Sequence, residues 1–205
     1  MSRVLALLAH PDDAEIGMGG TLALLSQRGH EVQVWVASVP DQRETRLAEV
    51  AAGAAVLGVA ARVIDRPGCW QAEDIPAYAL VSVFDQVVRE FDPGVIFTHF
   101  TGDPHSDHVR VANAAISSTR DRSCDVFMVE PPNQYAAAAT PFAASSFVDV
   151  SATFDIKLKA VAAHRSQAGR RNYAEHLSVR ARFHGERLGC QYAEAFCCLR
   201  QMLFR

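Results

Sequence analysis

The feature that most constrains this chain is an unbroken apolar run, Val4-Leu5-Ala6-Leu7-Leu8-Ala9, that stops on His10-Pro11-Asp12-Asp13. Six apolar residues without alternation suit a strand buried on both faces. Such a strand belongs inside a parallel sheet with helices above and below, because an open face would leave half of its side chains in water. The segments that follow repeat the theme. Helical patterns are expected over 21–27, 42–57, 75–91 and 108–119, and strands over 31–39, 61–64, 95–100 and 125–129. Gly19 and Gly20 precede the first helix, while Gly29 and Gly58 supply stops. After residue 129 the pattern loosens. A loop is expected over 130–146, a short strand over 147–150, and helices over 151–165, with Ser151 as cap, and 172–187. Residues 192–199 read as a last strand or an irregular tail. No repeat, linker or low-complexity tract divides the chain, so residues 1–205 are expected to form one domain. Its class is α/β: a Rossmann-like, doubly wound, mostly parallel sheet with helices on both faces.

Several function classes fall away on composition. A formal net charge of -3 leaves no basic stripe for nucleic acid. Arg165, Arg170, Arg171, Arg180 and Arg182 cluster late, but Glu175 and Glu186 interleave with them, as on a solvated helix face. The first apolar run is too short for a secretory leader or a membrane span. The five cysteines are odd in number and lack metal-type spacing, which suggests reduced thiols in a cytoplasmic protein. Cys69 among them is expected as a small buried hydrophobe.

Chemistry concentrates in two short stretches, each at the carboxyl end of an expected parallel strand, where such folds gather functional groups. His10, Asp12 and Asp13 leave the first strand on a turn stiffened by Pro11. Imidazole and carboxylate suit a borderline divalent metal, and adjacent carboxylates point apart, so one can bind metal while the other faces water. The plainer reading is a Pro-Asp turn capping the next helix. Gly17-Met18-Gly19-Gly20 resembles part of a phosphate-binding turn but lacks the dinucleotide spacing and the P-loop lysine. The second stretch is His105-Ser106-Asp107-His108. Histidines three apart share one face of a first helical turn, so one can bind metal and the other serve as acid or oxyanion stabiliser. Asp107 can orient such a histidine, and Asp103 adds a carboxylate nearby. The plainer reading here is a helix N-terminus answered by aspartates. Two such clusters on one sheet favour a metal site. Of the other histidines, His30 is expected in a surface turn, His99 as a satisfied core residue beside the pocket, and His164, His176 and His184 in solvent.

Residues 9–20 together with His105-x-Asp107-His108 resemble the PIG-L/LmbE-like metal-dependent N-deacetylases. Arg46-Leu47-Ala48-Glu49, Phe147-Val148-Asp149-Val150, Lys157, Ser166-Gln167 and residues 192–196 are similar to further landmarks of that family. The resemblance implies zinc, or ferrous iron, held by His10, Asp13 and His108. It implies Asp12 as general base, His105 as acid or electrostatic stabiliser tuned by Asp107, and Arg46 and Tyr192 near the substrate. The implied substrate is a small N-acetylated amino sugar or glycoconjugate, and the implied assembly a homo-oligomer. Two other readings compete: a metal-dependent hydratase or lyase of the same superfamily, and a non-catalytic module binding a nucleotide at residues 17–20. Specificity is expected in the loops over 67–74, 99–104 and 130–146.

Overall fold

The computed structural model describes residues 1–64, 72–132, 140–167 and 172–202. Its strands are β1 (Arg3–Leu8), β2 (Glu31–Val36), β3 (Ala60–Val63), β4 (Val95–His99), β5 (Asp125–Val129), β6 (Ser146–Asp149) and β7 (Ala193–Arg200). They form one sheet in the order β3-β2-β1-β4-β5-β7-β6. The first five are parallel, as expected, and β7 runs antiparallel to both β5 and β6. The helices are α1 (Asp13–Gln27), α2 (Arg43–Leu57), α3 (Ala77–Phe91), α4 (Ser106–Ser117), α5 (Phe154–Ala163) and α6 (Tyr173–Leu188).

The opening apolar run explains the layering. Leu5, Leu7 and Ala9 point to one face and pack with Leu80, Phe84 and Val88 of α3 and Val111 and Ala115 of α4. Val4, Ala6 and Leu8 point to the other and pack with Met18 and Leu22 of α1 and Ala160 of α5. Both faces of β1 are therefore covered, which is why no polar residue interrupts it. The strand order reverses between β1, which leads away toward β2 and β3, and β4 on its other side. A crevice opens beyond the carboxyl ends of strands at such a switch point. His10 leaves β1 there, and His99 is the last residue of β4.

Three local expectations are corrected. The first helix begins at Asp13, not residue 21, and carries residues 17–20 inside it, with a break at Met18 (φ -147°, ψ 22°). The glycines permit close packing: a Cβ on Gly17 would lie 2.5 Å from Val129 Cγ1, and one on Gly20 would lie 2.8 Å from Val150 Cβ. The helix expected from residue 108 starts at Ser106, with His105 as its cap. Ser151 does not cap α5; its N–H and hydroxyl both donate to Asp149 Oδ1, and Thr153 takes the cap position. The tail left open between strand and irregular chain is the strand β7.

Candidate metal centre

Asp13 opens α1, and its buried carboxylate is the hub of the site. Its Oδ2 accepts the His10 backbone N–H at 2.7 Å, so it closes the turn that carries it. Three imidazoles surround it: His10 Nδ1 at 3.6 Å, His99 Nε2 at 3.2 Å and His108 Nε2 at 3.5 Å. Two sets of donor atoms lie within 4.8 Å of one another, His10 with His105 and His108, and Asp13 with His99 and His108. The two histidine motifs thus meet across the switch point.

Outer partners orient these rings. Asp103 Oδ2 lies 2.8 Å from His108 Nδ1, which leaves Nε2 turned to Asp13. Asp107 Oδ2 lies 2.9 Å from His10 Nε2, which leaves Nδ1 inward. The Asp107 backbone N–H donates to His105 Nδ1 at 3.2 Å. Asp107 therefore meets His10 through its carboxylate and His105 through its backbone. Metal-binding histidines carry outer carboxylates of this kind. Imidazoles plus one carboxylate, each with its remote nitrogen held, are a donor set that suits a divalent transition metal.

The electrostatics agree. Burial opposes ionisation of Asp13, yet His108 and His99 hold it well below the usual carboxylate range. Burial likewise acts to neutralise His108, but Asp13 and the hydrogen bond with Asp103 push it up to about 10. Burial, then repulsion from His108, brings His99 down to about 4. A neutral His99 Nε2 accepts the Ala9 N–H at 2.9 Å. His105, at the exposed lip, is lowered by burial and by His108 and His10.

Asp12 occupies the N-cap position of α1 in the left-handed region (φ 90°) and makes no side-chain cap bond. The plain helix-cap reading of this turn therefore does not describe it. For an aspartate such a backbone costs about 1–3 kcal/mol and persists only where surroundings enforce it. Burial, then Asp13, raises its carboxyl to about 7. Arg46 is itself buried; its Nη2 donates to Pro11 O at 2.7 Å and lies 3.7 Å from Asp12 Oδ1, while Nη1 donates to Asp41. Arg46 thus grips the motif turn. Tyr192 stacks on Phe154 at 4.1 Å with Arg182 over its ring, and its described contacts do not include the histidine cluster.

Several polar groups sit where the sequence pattern alone does not place them. His164 and His184 are buried, not solvated; His184 Nε2 lies 2.9 Å from Glu130 Oε2. Arg180 does not lie on a solvated face either: it donates to Pro131 O and Ile16 O and sits 3.6 Å from Glu130. Helical periodicity alone gives no sign of partners contributed by distant segments. His99 had a usable signal, its place at the carboxyl end of a central parallel strand. The residues at 17–20 do not present a phosphate cradle. Gly20 N–H and Thr21 N–H at the α1 break donate to the Glu194 carboxylate at 3.1 and 2.7 Å, and Glu194 pairs with buried Lys157. The anion at this helix break is the chain's own. Cys69, residues 67–71, and Asn133, Gln134 and Tyr135 lie outside the described residues. Cys124, Cys190, Cys197 and Cys198 are free thiols.

Residues 5–119, more than half the chain, match the PIG-L family, described as GlcNAc-PI de-N-acetylase, and the chain belongs to that family. A 1D-myo-inositol 2-acetamido-2-deoxy-alpha-D-glucopyranoside deacetylase of Mycobacterium sp. (strain KMS) is 27% identical over 80% of this chain and 74% of its own. A Corynebacterium glutamicum (strain R) relative of the same name, also 27% identical, aligns over 58% of this chain and 54% of its own, so the chain spans about half of that enzyme. Among solved structures, the conserved protein TT1542 of Thermus thermophilus superposes with a TM-score of 0.81 at 27% identity, over 100% of this chain and 98% of that one. The 4-carboxy-2-hydroxymuconate hydratase GalB of Pseudomonas putida KT2440 shares the fold (TM-score 0.82, 100% and 99% coverage) at 18% identity.

Proposed function

We propose that this chain is a metal-dependent N-deacetylase that hydrolyses the acetamide of an N-acetylated amino sugar or amino-sugar conjugate. The observation that carries the reading is the meeting of both histidine motifs around the Asp13 carboxylate, with the strained, uncapped Asp12 beside it. In this reading His10, Asp13 and His108 hold the metal, with zinc favoured and ferrous iron the alternative. When bound, such an ion supplies a Lewis acid for the amide carbonyl and an acidified water.

The chain's own groups supply the proton handling. Asp12 is not engaged in capping and takes the proton of the attacking water; a base is most effective when its pKa lies near the working pH. His105 accepts the Asp107 N–H at Nδ1, so its neutral tautomer carries a proton on Nε2. In this reading that Nε2–H steadies the developing oxyanion. Asp12 then returns its proton to the departing amine. Arg46 acts on substrate through the turn it grips, while Tyr192 packs on Phe154. The relatives' names support a glucosamine-type substrate. Among the described residues no helix is long and apolar enough to cross a membrane. Free thiols support a reducing, cytoplasmic setting, and exposed Val179 and Phe183, one turn apart on α6, support a homo-oligomer.

The test is acetate release by the zinc-loaded protein from 1D-myo-inositol 2-acetamido-2-deoxy-α-D-glucopyranoside and from N-acetylglucosamine. Metal content is measured on the same sample. Acetate from either supports the reading. No acetate from either, with water added to 4-carboxy-2-hydroxymuconate instead, would replace it with a hydratase.

A further inference from the structure

The turn that caps α4 serves two sides of the molecule. On one side Asp103 accepts the His105 N–H at Oδ1, at 2.8 Å, and meets His108 Nδ1 through Oδ2, also at 2.8 Å. On the other side Asp103, Pro104 and Ser106 line the head of a groove of about 590 Å³ between α3 and α4. His105 stands between Pro104 and Ser106, exposed, with its ring in the histidine cluster. The groove therefore begins where the candidate metal centre ends.

From that lip the groove runs down α4. Ser106, Arg110, Asn113 and Ser117 all line it, and their spacing is that of one helical stripe. Over that length an α-helix rises about 16 Å. Ala77 and Val81 of α3, with Val109 and Ala114 of α4, make the remaining surface apolar. A concave site of about 300–1,000 Å³, mostly apolar with a few polar groups, is the usual form of a small-molecule site.

Arg110 is the one cation in this lining. It is half-buried, yet among the described residues it forms no ion pair, and its one hydrogen bond is a long one to Ile75 O, at 3.4 Å. Arginine is seldom drawn below a protein surface without an anion to face, and its planar fork matches carboxylate and phosphate. Asp103 does not fill that place, because its two oxygens are engaged by the His105 N–H and by His108. An uncompensated guanidinium thus stands on the wall of an apolar groove, about 7–8 Å along α4 from the His105 cap.

We propose that the α3–α4 groove is the subsite for the substituent that the amino sugar carries, and that Arg110 binds an anionic group on it. This rests on the deacetylase reading, which puts the acetamide at the metal end of the groove. Preferred substrates are then conjugates with an apolar body next to the sugar and an acidic group beyond it, rather than the free N-acetylated sugar.

The probes are the methyl, 4-nitrophenyl and 4-carboxyphenyl α-glycosides of 2-acetamido-2-deoxy-D-glucopyranose, given to the zinc-loaded protein. Acetate release yields kcat and KM for each. The 4-carboxyphenyl glycoside should show a kcat/KM roughly ten- to hundredfold above that of the 4-nitrophenyl glycoside, the range for a hydrogen bond to a charged group. Arg110→Gln should abolish that difference and leave the methyl glycoside within about twofold of wild type. Asn113→Trp fills the groove from an exposed position and should remove the advantage of both aromatic glycosides over the methyl one. Equal kcat/KM for the two aromatic glycosides, or a preference that survives Arg110→Gln, overturns the proposal. So does an Asn113→Trp protein of lower oligomeric order, since a second copy would then cover the groove. Calorimetric titration with 4-carboxyphenyl 2-amino-2-deoxy-α-D-glucopyranoside, the deacetylated product, needs no turnover. Its binding should weaken roughly ten- to hundredfold in Arg110→Gln, and equal binding overturns the subsite. Failure of the deacetylase reading shows separately, as no acetate from any of the three glycosides while the titration still separates wild type from Arg110→Gln.

Discussion

Asp103 Oδ2 stands 2.8 Å from His108 Nδ1, while Nε2 of the same ring faces Asp13 Oδ1 at 3.5 Å. One carboxylate thus fixes the direction in which the imidazole offers its other nitrogen. Removing it with Asp103→Ala should weaken zinc binding about 10–100-fold. Chelator competition checks this, and unchanged affinity would free His108 from dependence on Asp103.

On the proposed ligand set, a proton on His108 competes with the metal. Asp13 and Asp103 hold the pKa near 10 against burial, so below that pH the proton must leave before Nε2 can coordinate. Zinc affinity should rise by about tenfold per pH unit between roughly pH 6.5 and 8, measured by competition titration. The same group gives the metal-free protein a matching signature. Its raised pKa contributes stability that is fully present below the unfolded value near 6.5 and is lost as pH rises through about 10. Melting curves of metal-free protein should show that loss, and zinc-loaded protein should not.

Gly20→Ala should destabilise the fold. The new methyl would lie 2.8 Å from Val150 Cβ and 3.0 Å from its Cγ1, against a residue with no exposed surface. Overpacking of this kind costs about 1–3 kcal/mol and outweighs the gain in helix propensity. Denaturant melts should show the drop, and Val150→Ala in the same chain should restore part of it.

Lys157→Met leaves the Glu194 carboxylate buried without its cation. Breaking one partner of a buried pair costs about 3–5 kcal/mol. The Gly20 and Thr21 N–H groups and the Thr21 hydroxyl still donate to Glu194, which places the expected loss toward the lower end. Adding Glu194→Gln should recover stability, and a double variant no better than the single one would show that the charge is not the cause.

The parallel half of the fold was legible because β1, β4 and β5 are buried on two faces and must be written in apolar residues. The two histidine motifs were legible because they follow strand ends. Boundaries were less so: the first helix looked as if it started after Gly20, since glycines weaken a helical pattern, whereas here they allow α1 to approach Val129 and Val150. His164, His184 and Arg180 have polar neighbours in sequence, a pattern that suggests solvent. Their true neighbours, Glu15 and Glu130, lie far away along the chain. Asp107 shows the same limit at short range: its sequence neighbour is His105, but its carboxylate goes to His10.

The α1 break has a consequence for how the protein is made. All of the motif residues have been synthesised by position 108, yet the Thr21 N–H finds its acceptor on Glu194, 173 residues later. A chain emerging from its N-terminus carries both histidine motifs long before β7 can dock beside β5. The bend behind the histidine cluster is therefore closed late in biogenesis, by the last strand rather than by the appearance of the histidines. Prematurely ended chains would display both histidine motifs and lack the carboxylate that closes the bend behind them.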